Sequence, residues 1–268
     1  MGWDKQLVAS NGIYLNVYRT GRPGLPLVLL HGITDDALCW TRVAQELETT
    51  CDVVLIDARG HGFSDKPETG YASTDHAADV VGVIDALGLD RPVLLGHSMG
   101  AEVAAHVAAT YPDRVRGVIL EDPPWMAQDF TSAERAELCG EWETGIRQDH
   151  TLTQAQLIEK QRLEEPDWND ADYEVWANAK PRVSSQVARF IETMGGWREI
   201  VPCIVCPLLL ITANPERGAV VTPDVSAEIV SLARSGRSVC IDEAGHSIRR
   251  DRFEAYMVTV RAALKEMG

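Results

Sequence analysis

Gly96-His97-Ser98-Met99-Gly100 sets a serine between two glycines with G-x-S-x-G spacing. A serine hydroxyl attacks a carbonyl carbon at neutral pH only when a nearby base takes its proton and an acid orients that base. The flanking sequence suits such a nucleophile. Val93, Leu94 and Leu95 form a short apolar run of the kind found in strands buried on both faces. Ala101 to Ala109 is composed mostly of small helix formers. Ser98 therefore falls at a strand-to-helix turn. A sharp turn of this type strains the backbone, so its neighbours must carry almost no side chain. The hydroxyl then stands above the sheet at a helix N-terminus, where free N–H groups favour developing negative charge. A serine that merely caps the helix is the bland alternative. The complete strand–Gly–Ser–Gly–helix frame favours the nucleophile.

Seven histidines compete for the base. His31 and His97 neighbour the serine or a strand end, but His97 would point away from Ser98 at the turn. His61 sits in a Gly-rich turn, and His76, His106 and His150 have helical surroundings. His246 follows Gly245 in a loop after the last apolar strand, at the sheet end where Ser98 should lie. His246 is the expected base; the competing reading is a cap for the closing helix.

The elements that must position these groups follow a regular order. Residues 5–10 and 12–19 alternate apolar and polar around Asn11-Gly12, a strong hairpin signal. Apolar strands are expected at 27–30, 53–56, 93–95 and 115–120. Helices are expected at 37–47, at 74–87 (capped by Ser73 or Thr74 and ended by Gly88), and after the serine. The strands run into His31-Gly32-Ile33-Thr34, into Asp57 to Asp65, and into Glu121-Asp122-Pro123-Pro124. Alternating apolar strands and helices imply a parallel sheet covered on both faces, with ligands beyond the strands' carboxyl ends.

The rhythm breaks at Pro124. Up to Val205 no buried strand is expected, only acidic amphipathic stretches at 131–147, 153–163, 170–178 and 184–198. Residues 124–206 hold 15 acids, 8 bases and five of the seven tryptophans. The segment reads as a helical cap inserted into a core of residues 1–123 and 207–268. The tryptophans would pack cap on core, one or two walling an apolar pocket. Trp125, His31 and His97 are the candidate pocket residues. The sheet resumes at 208–212; a helix at 223–233, a strand at 238–241 and a helix at 248–265 close the chain.

The whole chain has 268 residues, 45% hydrophobic and 24% charged, with a formal net charge of −15. That length accommodates one α/β domain with an insertion. The negative charge argues against nucleic acid or an anionic membrane as partner. No signal peptide or membrane span is expected, so a reducing cytoplasm is the default compartment. Six cysteines are scattered. Cys203-x-x-Cys206 lacks a second pair and a histidine at ligand spacing, so free thiols are expected and no metal site.

His31-Gly32, the Asp57-to-Asp65 segment, Gly96-to-Gly100 and Gly245-His246 together resemble the α/β-hydrolase-fold superfamily, over residues 5–123 and 207–268. The resemblance implies a mostly parallel eight-stranded sheet and the chain order Ser, acid, His. It implies an oxyanion hole from the backbone N–H groups of Met99 and Ile33, with Gly32 allowing close approach. For the acid two places compete. The usual place after the strand that follows the cap reads Ala213-Asn214-Pro215-Glu216, which makes Glu216 the alternative. Asp122 lies 24 residues after Ser98, a spacing similar to that in haloalkane dehalogenases and zearalenone lactonases, and is preferred. Glu121 and Asp224 are remoter choices. The activity expected is hydrolysis of a carboxylic ester or lactone of apolar character through an acyl-enzyme, with no cofactor. Other chemistries on the same triad, such as C–C bond hydrolysis, cofactor-free haloperoxidation or hydroxynitrile cleavage, remain open. So does a ligand receptor that keeps a slow triad. Serine at the turn argues against haloalkane dehalogenase or epoxide hydrolase chemistry, for which the resemblance implies an aspartate there.

Overall fold

The computed structural model describes residues 2–268. Eight strands form one sheet: β1 (Asp4–Ser10), β2 (Ile13–Arg19), β3 (Leu25–Leu30), β4 (Cys51–Ile56), β5 (Val93–His97), β6 (Gly117–Glu121), β7 (Leu208–Ala213) and β8 (Gly236–Ile241). Their order across the sheet is β1-β2-β4-β3-β5-β6-β7-β8. β1 and β2 pair antiparallel, as do β2 and β4; the remaining neighbours are parallel. The hairpin turns on Asn11 (φ 47°) and Gly12 (φ 80°), both left-handed, matching the twist of the strands it joins. β4, β5, β6 and β7 are buried along their full length, while β1 and β8, at the edges, are partly exposed.

The strand period of two splits the core into layers on the two faces. In β3, Val28 and Leu30 belong to one layer and Leu27 and Leu29 to the other. The first layer is covered by α2 (Ser73–Ala86), α3 (Met99–Thr110) and α8 (Pro223–Leu232). The second is covered by α1 (Thr41–Leu47) and α10 (Phe253–Met267). Between β6 and β7 run α4 (Ser132–Asp149), α5 (Gln154–Glu164), α6 (Asp170–Ala179) and the short α7 (Trp197–Ile200). α4 and α5 begin at capping boxes, Thr131 with Glu134 and Thr153 with Gln156.

Several sequence expectations change in detail. The helix expected at 37–47 is a 3-10 turn, Ala37–Trp40, leading into α1. The one at 184–198 is a 3-10 segment, Ser185–Glu192, separated from α7 by Gly195 (φ 99°) and Gly196 (φ 67°), which end a right-handed helix. The closing helix is interrupted at Arg252 (φ −137°), dividing α9 (Ile248–Asp251) from α10. α2 is capped by neither Ser73 nor Thr74. Its N-cap is Ala72, whose N–H donates to Asp75 Oδ2 at 3.0 Å, while Ser73 Oγ donates to the buried Glu102 at 2.7 Å. All six cysteines are free thiols. No helix among the described residues is long and apolar enough to cross a membrane.

Candidate active site

Ser98 joins β5 to α3 with φ 51° and ψ −118°, a conformation costing about 1–3 kcal/mol for a residue with a side chain. The two glycines around it are sterically required. A Cβ on Gly96 would lie 2.1 Å from the Gly100 carbonyl oxygen, and one on Gly100 would lie 2.2 Å from that of Leu30. The Ser98 N–H donates to the Glu121 carbonyl at 2.9 Å, tying the turn to the neighbouring strand end.

That strand end carries Asp122, fully buried and also left-handed (φ 39°). Its Oδ1 accepts from the Val221 N–H at 2.9 Å and its Oδ2 from the Val220 N–H at 2.8 Å. Oδ2 also accepts from His246 Nδ1–H at 2.6 Å. Two backbone donors therefore fix the carboxylate in place, and the carboxylate fixes the ring. The other possible acids lie elsewhere. Glu216 and Asp224 are exposed on the surface, Glu216 on a 3-10 turn capped by Asn214. Glu121 accepts from the Arg249 N–H at 3.0 Å and faces its guanidinium.

Glu121 belongs to a buried ionic group. Arg249 reaches Glu121 at 3.4 Å and Asp35 at 3.3 Å, and Arg250 reaches Asp35 at 2.9 Å. Burial alone would raise the Asp35 pKa, but Arg250, Lys180 and Arg249 together hold it far below the usual carboxylate range. Burial raises that of Glu121, with Arg249 opposing. The group ties three segments together: the end of β6, the loop after β3 and the loop of His246. His97 adds a brace, its Nε2–H donating to the His246 carbonyl at 3.0 Å. Burial depresses the His97 pKa, which keeps the ring neutral.

The loop after β3 carries Gly32 and Ile33. A Cβ on Gly32 would lie 2.9 Å from His97 Nδ1, so only glycine fits there. His61 Nε2 lies 2.6 Å from the Ile33 carbonyl, and burial pushes its pKa down to about 3, so a neutral imidazole holds this loop. Lys180, from the segment after α6, donates to the Thr34 carbonyl at 2.9 Å and hydroxyl at 2.7 Å. Neither the Ile33 nor the Met99 N–H is engaged in a backbone hydrogen bond among the described residues. For Met99 this follows from its place in the first helical turn.

Two cavities flank Ser98, and both are lined by Ser98, His246, Ile33 and Trp142. One, of about 300 Å³, is walled by apolar side chains, including Met126, Leu138, Phe190, Ile191 and Met194. The other, of about 190 Å³, is more polar: it sets Asp35, Gln161, Glu165, Ser247 and Arg250 among three tryptophans, Trp142, Trp168 and Trp176. Burial first, then the charge of Asp251, raise the Glu165 pKa to about 7. Ser98 Oγ has no hydrogen-bond partner among the described residues; contacts of such serines often tighten only around substrate.

Of the three expected pocket residues, His97 lines the polar cavity. The other two are corrected. Trp125 is fully buried in the core, stacked on Trp197 with ring centroids 6.2 Å apart, because the chain turns inward at Pro123-Pro124. His31 lies beneath the turn beside a space of about 20 Å³. Its Nδ1–H donates to the Gly32 carbonyl and its Nε2 accepts from the Ala58 N–H, so its ring supports the loop and does not face the cavities. Trp142 is one of the tryptophans of residues 124–206 expected to wall a pocket, though not the one singled out; sequence reasoning missed Phe190, Met194 and Glu165 as wall residues, and Arg249 as a support. The Arg249-Arg250 pair close after His246 was the one readable signal, since adjacent buried cations demand buried acids.

The geometry agrees with comparisons to known proteins. A family model described as the alpha/beta hydrolase fold matches residues 26–189. N-formylmaleamate deformylase of Pseudomonas putida is 31% identical over 256 residues, covering 93% of this chain and 92% of that protein. 2-(Acetamidomethylene)succinate hydrolase of Mesorhizobium japonicum is 41% identical over 127 residues, 47% of this chain and 45% of that one. A crystal structure of an N-formylmaleamic acid deformylase from Pseudomonas putida superposes with TM-score 0.78 at 27% identity, covering 96% of this chain and 100% of the other. With its eight-stranded sheet and glycine-flanked serine, this chain belongs to the α/β-hydrolase-fold family and is a hydrolase of that family.

Proposed function

We propose that the protein hydrolyses a carboxylic ester or lactone through an acyl-enzyme on Ser98, with His246 as base and Asp122 as orienting acid. The observation that carries this reading is the 2.6 Å contact of His246 Nδ1 with a fully buried Asp122, while serine and imidazole line the same two cavities. In the first step Ser98 Oγ bonds to the carbonyl carbon and His246 Nε2 takes the hydroxyl proton. The negative oxygen that forms is stabilised by the N–H groups of Ile33 and Met99, which need no reorganisation. His246 gives its proton to the leaving alcohol as the carbon–oxygen bond breaks. It then deprotonates a water, which adds to the acyl carbon; collapse releases the acid and restores Ser98. No step calls for a metal or organic cofactor. Residues 124–206 act as a cap that supplies most of the apolar wall.

A second reading is favoured by the relatives. Their names describe an N-formyl and an acetamido substrate, so the same groups here would cleave an acyl–nitrogen bond, with His246 protonating a leaving amide or enamine nitrogen. Both readings require Ser98. Ser98→Ala is expected to abolish turnover of p-nitrophenyl butyrate and labelling by a fluorophosphonate. Retained turnover in that variant refutes the assignment. Stoichiometric labelling of the wild type without multiple turnovers on any ester or N-formyl amide would instead indicate a receptor. Relative kcat/KM for p-nitrophenyl butyrate and N-formylmaleamate separates the two hydrolytic readings.

A further inference from the structure

Beside the two cavities at Ser98 lies a third, of about 340 Å³, between α4, α5 and the end of α6; Ile146, Asp149, Lys160 and Lys180 are among its lining residues. Trp142 is the single residue common to all three. Its place follows from helical spacing. Leu138, Trp142, Gly145 and Asp149 stand on one face of α4, at intervals of three and four residues. Leu138 lines the apolar cavity, and Gly145 and Asp149 line the third. Along this face the helix passes from the apolar chamber beside the nucleophile to the outer chamber, and the indole sits at the crossing. The two inner chambers differ in chemistry as well as position: methionine, leucine and phenylalanine on one side, and on the other glutamine, glutamate and arginine beside the indoles of Trp168 and Trp176.

We propose that Trp142 is the specificity-determining residue of the site. Its ring partitions the space above Ser98, so that the carbonyl carbon sits at the boundary with one apolar substituent toward Met126, Phe190 and Met194. The second, polar substituent lies toward Gln161 and Glu165. The same ring closes the apolar chamber against the outer one and limits the length of the apolar substituent. The substrate class is thus a carboxylic acid derivative with one apolar substituent of bounded length and one hydrogen-bonding substituent. This inference rests on the reading of Ser98 as nucleophile.

The test compares kcat/KM for p-nitrophenyl acetate, butyrate and octanoate in the wild type, Trp142→Ala and Trp142→Phe. Trp142→Ala joins the apolar and outer chambers, so the octanoate-to-acetate ratio is expected to rise about tenfold or more, the equivalent of one or two methylenes newly accommodated. Trp142→Phe, which keeps a ring, is expected to shift the ratio in the same direction by less. Trp142 is 37% exposed, so neither change empties a core. An active wild type with an unchanged ratio in both variants overturns the partition and leaves the nucleophile standing. A wild type with neither turnover nor fluorophosphonate labelling overturns both.

Discussion

The floor of the site and its lid are built on different principles. α3, which begins just after Ser98, buries nine of its 12 residues against the sheet, whereas α4, which carries Trp142, buries only Ile146 among 18. Beneath the cavities, Ser98 and Asp122 sit in left-handed turns at the ends of adjacent, fully buried strands, and the Glu121–Arg249–Asp35–Arg250 group locks the His246 loop between them. Above, the segment between β6 and β7 meets the core through buried apolar residues such as Trp125, Phe190, Ile191 and Trp197, and through polar anchors: Lys180 on Thr34, Arg182 on Asp36, Arg42 on Asp172 and Trp168 on Asp251. Groups that must be positioned to fractions of an ångström are held by burial and strain. Of the groups that shape the space, Phe190 and Ile191 are buried against the core, whereas Trp142 on α4 is 37% exposed and can be exchanged without emptying it. Substitutions in the floor should therefore change rate or stability, and substitutions in the lid should change selectivity.

The sharpest way to break that contrast is at the acid. Asp122→Asn leaves the size of the side chain but removes the charge that orients His246, and kcat is expected to fall about 10⁴-fold. Glu216→Gln should leave kcat unchanged. If the second variant is the one that loses activity, the floor has been drawn around the wrong residue.

A stability measurement sharpens the comparison next. Arg249→Met strands the buried Glu121 and leaves Asp35 to Arg250 alone, and urea denaturation should show a loss of about 3–5 kcal/mol. Arg147→Ala removes an exposed i,i+4 pair with Glu143 on α4 and should cost about 0.5 kcal/mol or less. Equal losses would mean that lid and floor are held alike.

The smallest effect concerns charge in the polar cavity. The Glu165 carboxyl, with its pKa raised to about 7, is neutral below that pH and negative above it. The titratable and charged groups facing it are Asp251, His246, Glu164 and Arg250. As pH rises from 6 to 8 the cavity gains negative charge, so KM for a carboxylate-bearing ester should rise about three- to tenfold while KM for a neutral ester stays level. In Glu165→Gln the rise should disappear. Persistence of the rise in that variant would place its source outside the lid.

Much of the fold was legible because local rules and global packing agree. The alternation of apolar runs with helices announces a parallel sheet, Asn11-Gly12 announces the hairpin, and the glycines at 96 and 100 mark a turn where backbone carbonyls leave no room for a Cβ. Helix ends were less legible. Ser73 looks like a cap, yet its hydroxyl is claimed by Glu102, a partner 29 residues away.

The sequence by itself determined the order of the elements, the strand-to-helix turn that carries Ser98 and the loop that carries His246, since these depend on neighbours along the chain. Only the tertiary structure decided which carboxylate meets the imidazole. Asp122, Glu121, Glu216 and Asp224 all follow strands or start helices, and what separates them is the pair of N–H groups from Val220 and Val221, about a hundred residues beyond Asp122. The pocket wall was hidden for the same reason. Trp125 and Trp142 look alike in the chain, but one turns into the core against Trp197 and the other lines the cavities beside Ser98, and side-chain direction in weakly amphipathic helices is set by packing between segments.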